Sequence, residues 1–202
     1  IFLHSCDQYA GEDHFKGKIG KTDIEFSEVT AKYLSNTGPG SKQREDYYVY
    51  FRGLFIIADF KKNFKTQTVV LPDRAEKLLG KFGQSLQSVS GGRGELIRLE
   101  DPRFEQEFCV YGEDQVEARY ILTPSLMERI LAFKNKWNKD VYLSFLDSRV
   151  CIAISMYKNL FELRPFKPAA DYAFLEESLR FLTLLIEVVD DLNLNTRIWT
   201  RE

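Results

Sequence analysis

The run from Tyr47 to Phe60, YYVYFRGLFIIADF, constrains this chain more than any other stretch. Aromatic and β-branched residues dominate it, which reads as a long strand that packs its side chains against a pleated surface. Gly53, in the middle of the run, predicts either a bulge or the close approach of another backbone. A partner strand is expected to begin at Thr22, where Ile24, Phe26 and Val29 lie among Asp23, Glu25, Ser27 and Glu28 in near-alternation. Between the two, Ser35 to Ser41 is a loop by composition, so the strands are expected to pair antiparallel.

The rest of the chain extends this pattern. Residues 1–20 are mixed and polar and read as an irregular arm ending in a turn at Gly20-Lys21. Gln67 to Leu71 reads as a short strand. Pro72-Asp73 then opens a helix over roughly 74–89, with Leu78, Leu79, Phe82 and Leu86 at helical spacing and Gly80 and Gly83 weakening it. Gly91 to Gly94 is a flexible loop and the best candidate for an internal boundary. Glu95 to Leu99 reads as a strand, Asp101-Pro102 as the start of a helical turn, and Phe108 to Tyr111 as a further strand. Thr123-Pro124 opens a helix that runs to about Trp137 and buries Leu126, Ile130, Leu131 and Phe133, with Thr as cap and Pro at the first position. Val141 to Phe145 and Arg149 to Ser155 form a hairpin across Asp147-Ser148. Pro165 and Pro168 bound a loop, and Asp171 caps a last helix over 172–192. Leu175, Leu179, Leu182, Ile186 and Val189 make one stripe of that helix, widened by Phe174, Phe181, Leu185, Val188 and Leu192, so it is expected to lie buried on a sheet face.

Strands that follow one another without an intervening helix argue for antiparallel pairing, and the class expected is α+β. The expectation is an antiparallel sheet or sheets with three main helices, in one domain over residues 21–202. Length supports this: 202 residues, 44% of them hydrophobic, are enough to build a core without metal or disulfide staples. The three cysteines, Cys6, Cys109 and Cys151, are odd in number and far apart, unlike a secreted disulfide framework. Cys109 and Cys151 lie in apolar strand-like runs and read as buried thiols. A net charge of −2 gives no basic excess for general nucleic-acid binding.

Catalytic constellations are scarce. The two histidines, His4 and His14, both lie in the N-terminal arm, and with Cys6, Asp7 and Asp13 they match no compact zinc spacing. A serine or cysteine triad would have to borrow its base from that arm. Gly91-Gly92-Arg93-Gly94 lacks the Lys-Ser/Thr of a phosphate loop, and no GxGxxG is present. No metal and no cofactor is expected.

Two charged segments remain. The stretch from Glu100 to Glu117 is acidic, and Glu113, Asp114 and Glu117 with Arg119 lie just before the helix that opens at Thr123-Pro124. Paired carboxylates of this kind serve acid–base chemistry or hold a divalent cation, although acidic runs more often face water. The second segment is Lys61, Lys62 and Lys65, interleaved with Phe60 and Phe64. Basic residues among aromatics suit an anionic lipid surface; the plainer alternative is a solvated turn over buried phenylalanines.

Three phrases carry a family resemblance: KIGKTDIEFSEV (Lys18 to Val29), YFRGLFIIADFKKNFK (Tyr50 to Lys65) with TVVLPD (Thr68 to Asp73), and LEDPRFEQEFCVYGEDQVEARYILTPSLMERI (Leu99 to Ile130). They resemble a bacterial domain-of-unknown-function family, number 3137, sometimes labelled galanin, with similarity from about Tyr9 to Phe161. Such proteins typically carry hydrophobic segments upstream. The resemblance therefore implies the soluble part of a protein anchored on the cytoplasmic side of the bacterial inner membrane, in keeping with a chain that begins at Ile1. It brings no catalytic residues.

The leading functional expectation is a non-enzymatic binding module with an unknown protein partner or a membrane surface. One alternative is an anionic-lipid sensor using Lys61, Lys62 and Lys65. The other is a divalent-cation-dependent hydrolase built on the acidic segment.

Overall fold

β3, Asp46–Asp59, is the long central strand that the aromatic run dictates, and β2, Thr22–Ser35, pairs antiparallel along it from Ile24↔Ala58 to Ser35↔Asp46. The computed structural model describes residues 7–35, 46–60, 62–73, 94–156, 172–192 and 194. The remaining elements in chain order are β1 (Gln8–Ile19), β4 (Thr68–Pro72), β5 (Glu95–Ile97), α1 (Pro102–Glu107), β6 (Phe108–Gly112), α2 (Gln115–Ile121), α3 (Pro124–Trp137), β7 (Val141–Leu146), β8 (Arg149–Ser155) and α4 (Tyr172–Asp191). The strands form one eight-stranded sheet in the order β1-β2-β3-β8-β7-β4-β6-β5. Every pairing in it is antiparallel, so the chain is α+β.

One face of the sheet carries the main core. Leu54, Ile56 and Ala58 of β3 meet Ile152 and Ile154 of β8, Leu143 and Phe145 of β7, and Val70 of β4 in a single buried cluster. The helices close it with Phe104 of α1, Ala118 and Ile121 of α2, Leu126, Ile130 and Phe133 of α3, and Leu184, Leu185, Val188 and Val189 of α4. A smaller buried cluster gathers Val29, Ala31, Phe51 and Ala153, with Tyr142 edge-on to Phe51 at 6.0 Å.

Local signals explain most element ends. Thr123 Oγ1 accepts from Leu126 N and Pro124 opens α3, as the Thr-Pro pair predicts. Asp101 caps α1 in the same way, accepting from Arg103 N and Phe104 N. The hairpin β7–β8 turns at Asp147 with φ +56°, a left-handed position that aspartate tolerates. Gly20, at φ +59°, makes the expected turn between β1 and β2.

Five readings need correction. First, residues 8–19 are not an irregular arm but the edge strand β1, paired with β2. Nearly all of its positions are exposed, so it has no hydrophobic alternation to read. A register shift between Glu12 and Phe15, with Asp13 at φ +51°, breaks its period as well. Second, Gln115–Ile121, expected only as a charged stretch ahead of α3, is itself a short helix capped by Asp114.

Third, the last helix buries only part of the expected face: Leu185, Val188, Val189 and Leu192 are buried, with Leu184 beside them, whereas Leu179, Leu182 and Ile186 are exposed. Apolar residues spread over more than half of the helix circumference, so the pattern alone does not say which of them meet the core. Fourth, Cys109 and Cys151 sit in strands as expected but are only partly buried. Burial still pushes the Cys151 thiol up from its ordinary range. Fifth, Leu131, expected to be buried, only flanks the core from partial burial. The helix expected over 74–89, the cap at Asp171 and most of the loops at 35–41 and 91–94 lie outside the described residues.

Candidate functional site

The two charged segments singled out from sequence meet at one end of the sheet. There the β3–β4 connection, residues 60–67, runs beside α2. The meeting begins with the aromatic residues of the connection. Phe64 is buried, and its ring lies edge-on to Phe145 at 6.2 Å; Phe60 lies across Phe145 at 5.1 Å. Backbone bonds hold the same stretch to the β7–β8 turn: Phe60 N donates to Ser148 O at 2.8 Å, and Phe64 N donates to Asp147 O.

Hydrogen bonds of side chains to backbone then complete the junction. Asp114 is the cap of α2, its Oδ1 accepting from Val116 N at 2.7 Å and Glu117 N at 3.2 Å. Glu117, three residues on, does not reach back to the cap. Its carboxylate crosses to the β3–β4 connection, where Oε1 accepts from Lys65 N at 2.9 Å and Oε2 from Thr66 N at 2.8 Å and from Thr66 Oγ1. Burial pushes the Glu117 carboxyl up, but these three donors outweigh it and hold the group below the ordinary glutamate range.

Lys62 completes the junction. Its Nζ lies 4.9 Å from the centre of the Tyr120 ring on α2 and 5.5 Å from that of Phe60. Partial burial pulls the Lys62 ammonium below its usual range. Arg119 points to the other side, with Nη2 donating to Arg98 O at 3.2 Å. Glu113 is exposed, and Lys61 lies outside the described residues.

The structure therefore brings Glu117, Lys62 and the backbone of Lys65 together, with Asp114 fixing the helix that presents Glu117. It does not gather Glu113, Asp114 and Glu117 around one point. Among the described residues, no three or more His, Cys, Asp or Glu side chains are placed to hold a metal ion. The junction clamps α2 to the β3–β4 connection. Sequence reasoning missed Tyr120 and Thr66. A signal for α2 was present in Asp114-x-x-Glu117, the spacing of an N-terminal cap followed by a first-turn acid.

A clamp of this kind makes a pH prediction. A carboxyl whose folded pKa is depressed contributes stability that is fully present above the unfolded value and is lost as pH falls through the folded value. Glu117→Gln is therefore expected to cost on the order of 1–3 kcal/mol at neutral pH, since an amide turns donor hydrogens toward backbone N–H groups. The variant and the parent should converge as pH drops below the ordinary glutamate range. Urea midpoints across that range measure both; a constant difference down to acid pH would contradict the assignment.

A second feature lies on α4. Leu179, Leu182 and Ile186 are 63%, 51% and 48% exposed, spaced three and four apart on one side of the helix. The opposite side is locked in place. Trp137 Nε1 donates to Glu187 Oε2 at 3.0 Å, Lys136 Nζ lies 3.0 Å from the same oxygen, and Arg129 Nη1 donates to Asp191 O at 3.1 Å. The packing of α4 on α3 thus holds an apolar stripe toward solvent. No helix among the described residues is long and apolar enough to cross a membrane.

Comparison with known proteins places the chain in one family. Residues 49–194 match the model described as protein of unknown function (DUF3137), which covers more than half of the chain, and the chain belongs to that family. β1 and β2 precede the matched range, although the phrase Lys18 to Val29 was one of those that suggested the likeness. Curated proteins give no match in sequence. Among solved structures, the crystal structure of the mycobacterial trehalose monomycolate transport factor A is similar at 9% identity, with 91% of this chain and 88% of that chain covered and a TM-score of 0.35.

Proposed function

We propose that this chain is a non-enzymatic interaction module that docks a protein partner on α4. In the cell it would be the soluble part of a bacterial membrane-anchored protein, on the cytoplasmic side of the inner membrane. The observation that carries the docking face is the exposed stripe Leu179, Leu182 and Ile186 on a helix that buries Leu184, Leu185 and Val188 in the core and is bonded to α3 through Glu187. Apolar residues in line on a solvated helix face suit a groove or a second helix of a partner. The anchoring rests on the family resemblance alone.

The charged residues favour this reading over the two alternatives. Asp114 and Glu117 spend their carboxylates on backbone N–H groups of α2 and of the β3–β4 connection, which favours a holding role for them over a catalytic one. The lipid reading loses ground for a similar reason. Lys62 lies over the Phe60 and Tyr120 rings, which engages one of the three lysines on which that reading rests.

The test is co-purification from membranes of the source cell type, comparing the chain with Leu182→Asn/Ile186→Asn. Both residues are exposed, so the double variant should keep its melting temperature within a few degrees. A partner retained by the parent and reduced about tenfold or more by the variant is the expected result, since two anchor residues at about 1 kcal/mol or more each give that factor. Equal retention by both, or none by either, would end this assignment of the face.

A further inference from the structure

The exposed stripe of α4 has a charged end. At 3.6 residues per turn, Leu179, Leu182 and Ile186 project within about 60° of one another around the helix, and Asp190 falls in the same arc, one turn beyond Ile186. Asp190 is exposed and forms no ion pair among the described residues. Thr183, the other exposed polar residue beside the stripe, is spent within the helix, its Oγ1 donating to Leu179 O at 2.9 Å. The face therefore offers three apolar side chains and one unspent carboxylate, in that order along the helix.

The surroundings of Asp190 keep the sign of that charge. Glu187 and Asp191 share a single lysine, Lys136, whose Nζ lies 3.0 Å and 3.6 Å from them. Arg129 donates to Asp191 O at 3.1 Å. Three carboxylates thus meet two bases at this end of α4, and the last turn of a helix adds the negative end of its dipole.

The occupant must answer both parts of the face. A ridge of side chains three and four apart packs into the groove of a second helix. An anionic lipid surface would meet Asp190 with like charge. A second copy of α4 brings no base to it. In the antiparallel register that sets Leu179 beside Ile186, Asp190 falls beside Leu175, with Glu176 and Glu177 next in sequence; in the parallel register it falls beside Asp190 of the other copy.

From this order of apolar and acidic residues, we propose that α4 receives an amphipathic helix of another protein that carries a Lys or Arg one turn beyond its own apolar residues. The base meets Asp190 while the apolar residues cover Leu179, Leu182 and Ile186. This partner chemistry rests on the reading of α4 as a docking face and adds to it the charge that the partner must bring.

The probe is a display library of peptides of about 18 residues, or five helical turns, with apolar residues three and four apart and random residues one turn before and after them. It is selected on the 202-residue chain and counter-selected on Leu182→Asn/Ile186→Asn. The expected result is enrichment of Lys or Arg at one of the two random ends. A synthetic peptide from the selection should bind the chain, fail to bind the double variant, and bind Asp190→Lys roughly threefold to tenfold more weakly, with the difference shrinking as salt rises. Changing the base of that peptide to Glu should restore its affinity for Asp190→Lys, which also shows that this variant is folded. Selected peptides with no base at either end, or with an affinity indifferent to Asp190→Lys, would overturn the partner chemistry and leave α4 a purely apolar docking face. If no peptide told the chain from the double variant, the face itself would fall. A dimer of the chain that the double variant dissociates, or phosphatidylglycerol vesicles held through the same residues, would put a different occupant on α4 and overturn the proposal as well.

Discussion

Phe145→Ala is expected to destabilise the fold by about 3–5 kcal/mol, the range for removing a fully buried ring from a core that cannot collapse around the gap. Phe145 is 1% exposed on β7, beside β4 and β8. Its ring is the common contact of Phe60 and Phe64, whose own centroids are 5.6 Å apart. The three rings hold the β3–β4 connection down, and Glu117 then finds Lys65 N and Thr66 N in place. Losing the ring should therefore remove part of the carboxylate clamp as well as the apolar contact. The expected signature in urea is a lower midpoint with an unchanged slope. The acid sensitivity assigned to Glu117 should shrink in the same variant. Phe15→Ala makes the contrast: that ring stacks on Phe26 at 5.0 Å but sits half exposed on the edge strand, so the change should cost less than about 1 kcal/mol. Equal costs for the two variants would mean that the three-ring contact does not anchor the connection.

Where the sequence could be read, the physics was local. The aromatic run of β3, the Thr-Pro start of α3 and the Asp-Ser turn of the β7–β8 hairpin each carry their signal within a few residues. Pairing between distant segments carries no such signal. β1 is a strand because β2 offers it a ladder, and an edge with both faces exposed needs no alternation of its own. The orientation of α4 is decided in the same way, by Trp137, Lys136 and Arg129 arriving from α3. Residue types alone make Leu182 and Leu185 equivalent, yet one is exposed and the other buried. The candidate site divides likewise. Its charged residues were legible one by one, but their roles depend on two segments some fifty residues apart meeting at one end of the sheet, as the Glu117 bonds to Lys65 and Thr66 record.

Gly53→Ala is expected to be as damaging as the loss of a core ring, at about 3 kcal/mol or more, although it adds a single methyl group. A Cβ built on Gly53 would stand 2.0 Å from Ile154 O, 2.8 Å from Met156 N and 3.0 Å from Ile154 C. All three are backbone atoms, so no side chain can rotate away. The strands themselves would have to part, and they are joined there. Gly53 pairs with Ser155, and beside it Met156 N donates to Arg52 O at 2.9 Å. Separation at this point breaks ladder bonds between β3 and β8, two interior strands of the sheet, and leaves their buried amide groups unpaired. The close approach expected from the mid-strand glycine is thus that of the β8 backbone at Ile154 and of Met156 just beyond it. Gly17 separates this effect from the general cost of replacing glycine. It also lies in a strand, but its added Cβ would meet nothing within 4 Å, so Gly17→Ala should be neutral or stabilising by up to about 1 kcal/mol. Thermal melting ranks the two variants, and amide hydrogen exchange locates the damage. Faster exchange confined to β3 and β8 in Gly53→Ala is the expected pattern. Equal stability of the two variants would mean that the backbone contact at Ile154 is not tight enough to exclude a methyl group.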